Sequence, residues 1–356
     1  MKRIGILTFQ KTHNYGALLQ AYALCTKISQ FNNNCSIINY YSPYFKKIYG
    51  LTPRKNNLIN FFKNMITLPK EINKYFKFNS FRKYLNLTEP VCPENLIKLN
   101  DKFDIFIVGS DQVWNEKLQN NDLNYFLNFV QDNKKKVAYS ASFGINFLNE
   151  YQQSRYKPLL SSFSKISVRE KQAQDIMRNL LNINVLMTLD PTLLLNISEW
   201  KKIAILPKTD NYILLYLVHH DKKIINFTYD LAKEKNLRIL FISSNIIKKI
   251  KAEYIFPTPQ EFVGYFLKAK YIVTNSFHGT CFSINFNKTF FIDLLPKENA
   301  SVNSRLENIL DIFHLKNRLI DNIQSFPDKE INFENTNKIL FNEREKSINY
   351  LKEFII

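Results

Sequence analysis

A histidine and a glycine follow a short apolar strand in the C-terminal third of the chain. The strand covers Lys270 to Thr274, and His278 and Gly279 lie before a helix that we expect to begin near Thr280. In open α/β sheets, ligands bind beyond the carboxyl ends of strands, where the chain turns into a helix. His278 could transfer a proton near neutral pH, and the first helix amides could hold an anion. A plain strand–turn–helix corner, with the histidine capping the helix, fits the same residues.

A carboxylate and an arginine follow two other predicted strands. Asp111 could bind or deprotonate a hydroxyl, and Arg169 could grip a carboxylate or a phosphate with two parallel hydrogen bonds. Each residue also has a structural explanation. Ser110 or Asp111 could cap the next helix, and Arg169 could form a salt bridge with Glu170.

Further polar and aromatic residues lie at comparable positions. We expect Arg305 in the first turn of a later helix, where it would face an anion, and we expect Trp114 to stack on a sugar. Asn14 and Gly16 lie over the start of the first predicted helix, where an anion or a sugar would bind. An ordinary βα turn explains these two residues equally well. The other predicted rim residues are Tyr15, Ser110 and Ser142.

Short apolar runs alternate with helical patterns twice along the chain. Strand, helix and strand in succession predict parallel pairing, so we expect an α/β protein with two Rossmann-like domains that face a cleft. We place the domains at residues 1–195 and 196–330, and we expect a charged helix at 331–356 to pack back across the domain boundary.

A basic, aromatic segment at about 43–100 interrupts the first alternation, and we expect a helical insertion there. Between Pro43 and Asn86 lie ten Lys or Arg residues and one acid, Glu71. Most basic amphipathic helices are solvated surface elements of their own domain. Residues 43–86 could instead contact a membrane surface or a lipid-phosphate-linked acceptor. A nucleic-acid partner is unlikely because no recognised binding motif accompanies the charge.

The composition narrows the class of protein. The 356 residues carry a net charge of +18, which calls for an anionic partner. The four cysteines show no metal-ligand or CxxC spacing, the five histidines are scattered, and no Walker A or GxSxG motif occurs. We therefore expect no metal and no cofactor. No run reaches the roughly 18 apolar residues of a membrane span, and we expect a cytoplasmic protein or one at the inner face of the membrane.

Several of these segments together resemble the polysaccharide pyruvyl transferase family. The segments that carry the resemblance are Gly5–Phe9, Asn14–Ala21, Gly109–Asn115, Tyr139–Gly144, Ser167–Glu170, Leu189–Thr192 and Ser276–Gly279. They keep their order over most of the chain. The resemblance implies a two-domain fold similar to the GT-B glycosyltransferases. It also implies transfer of a pyruvyl group from phosphoenolpyruvate, as co-substrate, to two hydroxyls of a sugar or of a lipid-linked oligosaccharide acceptor, with release of phosphate.

The same resemblance places residues near the donor, namely Arg169, Ser276, Phe277, His278 and Gly279. Some family members carry Arg where this chain has Ser276, so one donor contact is either lost or supplied by Arg305. We expect His278 to handle a proton and Asp111 to position or deprotonate the acceptor hydroxyl. Two other functions stay open: a GT-B glycosyltransferase that uses a nucleotide sugar, and a basic protein that binds an anionic polymer or a membrane without turnover.

Overall fold

The computed structural model of the chain describes residues 1–32, 34–50, 72–243, 250–295, 300–326 and 332–356. Within these ranges the chain forms two β-sheets in which every described pairing is parallel. Helices lie between most pairs of successive strands, as parallel pairing requires. The expected α/β architecture of two Rossmann-like domains is confirmed.

The N-terminal sheet has six strands in the order β2-β1-β3-β4-β5-β6. The strands are β1 (Ile4–Leu7), β2 (Cys35–Ile37), β3 (Ile105–Val108), β4 (Lys136–Ala141), β5 (Lys165–Val168) and β6 (Leu186–Met187). The central strands are continuous apolar runs because both faces of the sheet are covered. Ile105 and Ile107 of β3 enter one apolar core, whereas Phe106 and Val108 enter another.

The C-terminal sheet has five strands in the order β11-β10-β7-β8-β9. The strands are β7 (Tyr212–Leu217), β8 (Arg238–Ser243), β9 (Glu253–Tyr254), β10 (Tyr271–Thr274) and β11 (Thr289–Ile292). The chain order reverses between β7 and β10 here, and between β1 and β3 in the N-terminal sheet. Such reversal points create the crevices in which ligands bind in open α/β sheets.

The helices vary from one turn to six. They are α1 (Tyr15–Ser29), α2 (Pro43–Tyr49), α3 (described over 72–81), α4 (Glu116–Gln119), α5 (Glu150–Leu160), α6 (Lys171–Leu181), α7 (Ile197–Lys201), α8 (Lys222–Lys235), α9 (Pro259–Lys268), α10 (Phe277–Asn285), α11 (Ala300–Ile312) and α12 (Glu334–Ile355). The sequence had suggested that Arg305 lies in the first turn of its helix. Because α11 begins at Ala300, Arg305 lies instead in the second turn.

The two domains share an apolar core. It contains side chains from the inner faces of both sheets and from α1, α9, α10 and α12. The long helix α12 belongs to the C-terminal part of the chain but packs on the N-terminal sheet. The Tyr350 hydroxyl donates to the Ala138 carbonyl of β4 over 2.9 Å, and the Leu189 amide donates to Ser347 Oγ over 2.9 Å.

The segment at 43–100 is only partly helical. Helices α2 and α3 are followed by 3₁₀ turns at Arg82–Tyr84 and Pro93–Asp101. Between these turns the chain runs beside β2, where Leu87 pairs with Ile37 and Val91 with Tyr40 in parallel bridges. The expectation of a wholly helical insertion is therefore wrong for 85–92, because this stretch extends the edge of the sheet. Residues 51–71 of the expected insertion lie outside the described residues.

Candidate active site

A cavity of about 330 Å³ lies where the crevices of the two domains face each other. Residues that follow β1 and β3 form one wall, and residues that follow β7 and β10 form the opposite wall. Helix α2 closes one side. The residues that line the cavity include Thr12, Asn14, Tyr44, Phe45, Tyr49, Asp111, Gln112, Asn275, Ser276, Phe277, His278 and Arg305.

The loop after β1 is held by an arginine that the sequence did not single out. Arg82 is buried, and its guanidinium donates to the carbonyls of Gln10, Lys11 and Thr12 over 3.1, 2.9 and 3.3 Å. These bonds fix the loop that brings Thr12 and Asn14 to the cavity. Asn14 also caps α1, because its Oδ1 accepts from the amide of the third helical residue over 3.2 Å.

Helix α10 begins three residues earlier than the sequence suggested. Ser276 is its N-cap, with Oγ accepting from the Gly279 amide over 3.3 Å, so His278 lies in the first turn of the helix. A Cβ at Gly279 would lie 2.5 Å from Thr274 Oγ1. This glycine therefore permits close packing of α10 on β10.

Gly16 and His278 bring the first turns of α1 and α10 into contact across the domain boundary. A Cβ on Gly16 would lie 2.0 Å from His278 Nδ1, so no other residue fits beside the imidazole as it stands. Helix N-termini carry partial positive charge and free amides. Two such termini from different domains thus meet at one cavity.

Behind the cavity, Arg169 lies among three carboxylates. Its Nη1 donates to Asp190 Oδ2 over 2.9 Å, Nη2 is 3.5 Å from Asp111 Oδ1, and Nε is 3.7 Å from Glu170 Oε2. Burial alone would lower the pKa of Arg169, but the three carboxylates raise it above its ordinary value. Its side chain is 1% exposed and does not line the cavity. Arg169 therefore does not itself present a free guanidinium to a ligand here.

Arg305 is the arginine on the cavity wall. Burial, together with the nearby charge of Arg169, lowers its pKa to about 10, so it still carries its charge at neutral pH. With the Gln112 amide oxygen turned towards it, both Arg305 terminal nitrogens donate over 3.2 Å. The buried Nε of Arg305 has no acceptor among the described residues. The Phe277 ring lies 4.7 Å from the Arg169 guanidinium and 5.9 Å from that of Arg305.

The side chains of four predicted rim residues do not reach the cavity. Trp114 is fully buried, its Nε1 donates to the Tyr125 carbonyl, and its ring packs on Phe126 and Phe143, so the expectation that it stacks on a sugar is wrong. Asn115, and neither Ser110 nor Asp111, caps the helix that follows. The other three rim residues are engaged as follows: Ser110 Oγ lies against Ser140 O and Asp190, Ser142 Oγ donates to Glu170, and Tyr15 stacks on Phe262 at 4.4 Å.

The structure also shows residues that the sequence did not identify. Asp190 faces both Arg169 and His278, and Gln112 and the tyrosines of α2 line the cavity. Asp190 stood in a recognised segment, Leu189–Thr192, but an Asp-Pro pair is most simply explained as a turn. The sequence does not indicate that the tyrosines of α2 line a cavity, because their helix has no periodic pattern that distinguishes a cavity wall from a surface.

The cavity has a cationic end and an aromatic end. Arg305 and the two helix N-termini can hold an anion, His278 and Asp111 can move protons, and α2 offers ring faces. Among the described residues, no group of three or more His, Cys, Asp or Glu side chains is placed to hold a metal ion. None of the described helices has the length and apolar character needed to cross a membrane.

Several solved structures have a similar arrangement of domains, but the similarity is distant. The S. aureus MnaA–UDP structure is 13% identical, with 99% of this chain and 91% of that chain covered and a TM-score of 0.49. UDP-GlcNAc 2-epimerase from Neisseria meningitidis, bound to UDP-GlcNAc, is 12% identical, with 99% and 100% covered and a TM-score of 0.48. The wall teichoic acid polymerase TagF is 11% identical, with 99% and 82% covered and a TM-score of 0.46. These similarities carry no information on activity.

No curated protein sequence matches the chain significantly. A family model does match it, and over most of its length. The model of the polysaccharide pyruvyl transferase family covers residues 14–292, which include Asn14, Asp111 and His278 of the cavity lining. The chain therefore belongs to the polysaccharide pyruvyl transferase family, and its broad activity is that of a transferase acting in polysaccharide synthesis.

Proposed function

We propose that this protein transfers the pyruvyl group of phosphoenolpyruvate to two hydroxyls of one sugar, forming a cyclic ketal and releasing phosphate. The observation that carries the proposal is the convergence of Arg305, His278 and two helix N-termini on one cavity, in a chain of this family. The cavity volume of about 330 Å³ lies near the lower end of the roughly 300–1,000 Å³ of small-molecule sites. A compact donor suits this space.

The cationic end of the cavity suits the phosphate and the carboxylate of the donor. Asn14 and Ser276 each satisfy one amide of their helix, at the third helical residue, and the earlier amides of α1 and α10 are left for a ligand. Arg305 adds a full charge and an Nε without an acceptor among the described residues. An Arg guanidinium binds carboxylate and phosphate through paired, charge-assisted hydrogen bonds.

Proton transfer is assigned to His278 and Asp111, which lie on opposite walls of the cavity. His278 protonates the methylene carbon of phosphoenolpyruvate, which leaves a cation-like centre at C2 that a sugar hydroxyl attacks. Asp111 accepts the proton of the attacking hydroxyl. Phosphate then leaves, and attack by the second hydroxyl closes the ketal, with the proton of that hydroxyl taken up by the departing phosphate. General acid or base catalysis of this kind typically contributes about 10²–10⁴-fold to the rate.

The acceptor is assigned to the aromatic end. Tyr44, Phe45 and Tyr49 of α2 line the cavity together with Phe9. Neither tyrosine hydroxyl makes a hydrogen bond to another described residue, so both can bond to sugar hydroxyls. Aromatic faces pack on the apolar faces of sugar rings, and buried tyrosine supplies both a ring and a polar group. The first helix of the basic segment thus serves the cavity, and a membrane role falls to the rest of residues 43–86.

Thermal unfolding with and without phosphoenolpyruvate tests the donor, with UDP and GDP measured in parallel. A ligand at 100 times its dissociation constant adds about 2.7 kcal/mol to the stability, which is a readily measured shift. We expect phosphoenolpyruvate to raise the midpoint, Arg305→Met to abolish that rise, and Arg178→Met, on the exposed side of α6, to retain it. A rise with a nucleotide and none with phosphoenolpyruvate would identify a glycosyltransferase instead.

A further inference from the structure

Asp190 lies behind the cavity and contacts residues of both domains. It follows β6 and is 2% exposed. Its Oδ1 accepts from the Thr192 amide over 2.9 Å and from Thr192 Oγ1 over 2.7 Å. Its Oδ2 accepts from Arg169 Nη1 over 2.9 Å and from Ser110 Oγ over 3.2 Å, and it lies 3.6 Å from His278 Nε2.

These contacts fix both the orientation and the charge of the carboxylate. Thr192 holds one oxygen, so the other must point towards His278. Burial alone would raise the pKa of Asp190, but His278 and Arg169 bring it well below its ordinary value, together with the Thr192 amide. A carboxylate that stays ionised can only accept hydrogen bonds. The nitrogen that faces it must therefore carry a hydrogen to be satisfied.

The two nitrogens of His278 lie in different surroundings. Nε2 is fully buried, makes no hydrogen bond within the standard length, and lies 3.6 Å from Asp190 Oδ2. Nδ1 lies beside Gly16, at the meeting point of the two helix N-termini, and the residue itself lines the cavity. The bond made by one imidazole nitrogen decides which tautomer the ring adopts and which nitrogen is left for chemistry.

We propose that Asp190 is a positioning residue that holds the Nε2–H tautomer of His278 and so makes Nδ1 the nitrogen that handles the proton. The proposal rests on the proposed function. In the protonated ring, the Nδ1–H bond breaks as the C3–H bond of the pyruvyl group forms, and the electron pair stays on Nδ1. The hydrogen on Nε2 stays on the ring throughout and faces the Asp190 carboxylate. Nδ1 regains a proton from an acceptor hydroxyl by way of Asp111 or water.

The ring tautomer can be measured without any turnover. We expect ¹⁵N spectra of histidine-labelled protein at a pH where the ring is neutral to show the Nε2–H form for His278, with the signal assigned by its loss in His278→Gln. In Asp190→Asn, the carboxamide can donate to the ring, so we expect the Nδ1–H form. Asp175→Asn, on the exposed surface of α6, is the matched control and should leave the tautomer unchanged.

Turnover is the second measurement. In Asp190→Asn we expect kcat to fall by about 10²–10⁴-fold, the range of general acid–base catalysis, while phosphoenolpyruvate still raises the unfolding midpoint. An Nδ1–H ring in the wild-type protein, or an Asp190→Asn variant with unchanged tautomer and kcat, overturns the inference. If the tautomer behaves as expected but the wild-type protein makes no ketal from phosphoenolpyruvate, the proposed function fails and the assignment of Asp190 as the partner of the ring stands. If Asp190→Asn does not fold, the tautomer of the wild-type ring still decides.

Discussion

At the scale of single residues, the site depends on the glycine at position 16, which has no side chain to displace His278. Gly16 belongs to α1, where alanine would ordinarily be the better helix former by about 1 kcal/mol. A Cβ at this position would lie 2.0 Å from His278 Nδ1, however, so the imidazole occupies the space where the methyl group would be. The glycine therefore serves the contact between two domains and not the conformation of its own backbone.

Gly16→Ala should displace His278 and lower both stability and transfer activity. A misplacement of about 1 Å at a reacting group can cost roughly 100-fold in rate. We expect a decrease of that order in kcat and a lower unfolding midpoint than that of the wild-type protein. The double variant Gly16→Ala/His278→Ala has room for the methyl group, so its midpoint should equal or exceed that of His278→Ala. A double variant less stable than His278→Ala would show that the clash lies elsewhere.

At the scale of elements, the segment after β2 supports the cavity from two sides. Helix α2 forms its aromatic wall, and the 3₁₀ turn Arg82–Tyr84 carries the arginine that binds three carbonyls of the loop after β1. Lys77 of α3 and Tyr15 of α1 further donate to the carbonyls of Phe256 and Pro257 in the C-terminal domain. What the sequence shows as a basic insertion is thus part of the frame of the site.

Arg82→Met should loosen the loop after β1. Leaving a buried polar group unsatisfied costs about 1–3 kcal/mol, and three carbonyls lose a charged donor here. We expect the unfolding midpoint to fall, the stabilisation by phosphoenolpyruvate to shrink, and the KM for the donor to rise. Lys83→Met, at the exposed neighbouring position, removes the same charge and is the control. Equal effects of the two substitutions would mean that charge, and not the loop contacts, is responsible.

The sequence predicts the frame of the site better than its details. Runs such as Ile105–Val108 and Tyr271–Thr274 are apolar because both sheet faces are covered, and that property is visible in the chain itself. The start of α10 depended on whether Ser276 or a later residue makes the cap, which is a choice between nearly equal local options. The role of Trp114 was misjudged, and that of Asp190 was missed. Both roles are set by distant partners, because Tyr125 lies 11 positions from Trp114 and His278 lies 88 positions from Asp190.

At the scale of the whole molecule, the two domains are held by one apolar core and by α12, which spans both. The stability of the fold also depends on partly buried groups beside the cavity. His13 is one of them, since its ring packs on Tyr49, Tyr75 and Phe78. Burial, with the charges of Arg82 and Lys74, lowers its pKa to about 3.

His13 should make the protein less stable in acid. The unfolded chain takes up a proton near pH 6.5, whereas the folded state takes it up only near pH 3, so stability is lost as the pH falls through this window. The slope from one such group is at most about 1.4 kcal/mol per pH unit. We expect His13→Phe to reduce the fall of the unfolding midpoint between pH 7 and pH 4.5. His314→Asn, at an exposed position with φ of 55° that Asn tolerates, should not.

The contact of Gly16 with His278 has a consequence for the timing of each catalytic cycle. The cavity and this contact lie on the same boundary, so a domain movement that widens the mouth also lifts the imidazole from the start of α1. Entry and exit of molecules, and alignment of the proton-handling ring, then belong to different arrangements of the two domains. Under the proposed function, we expect such gating to keep the donor away from bulk water while the ring is in place. It also makes the opening movement, and not bond formation, a natural limit on the turnover rate.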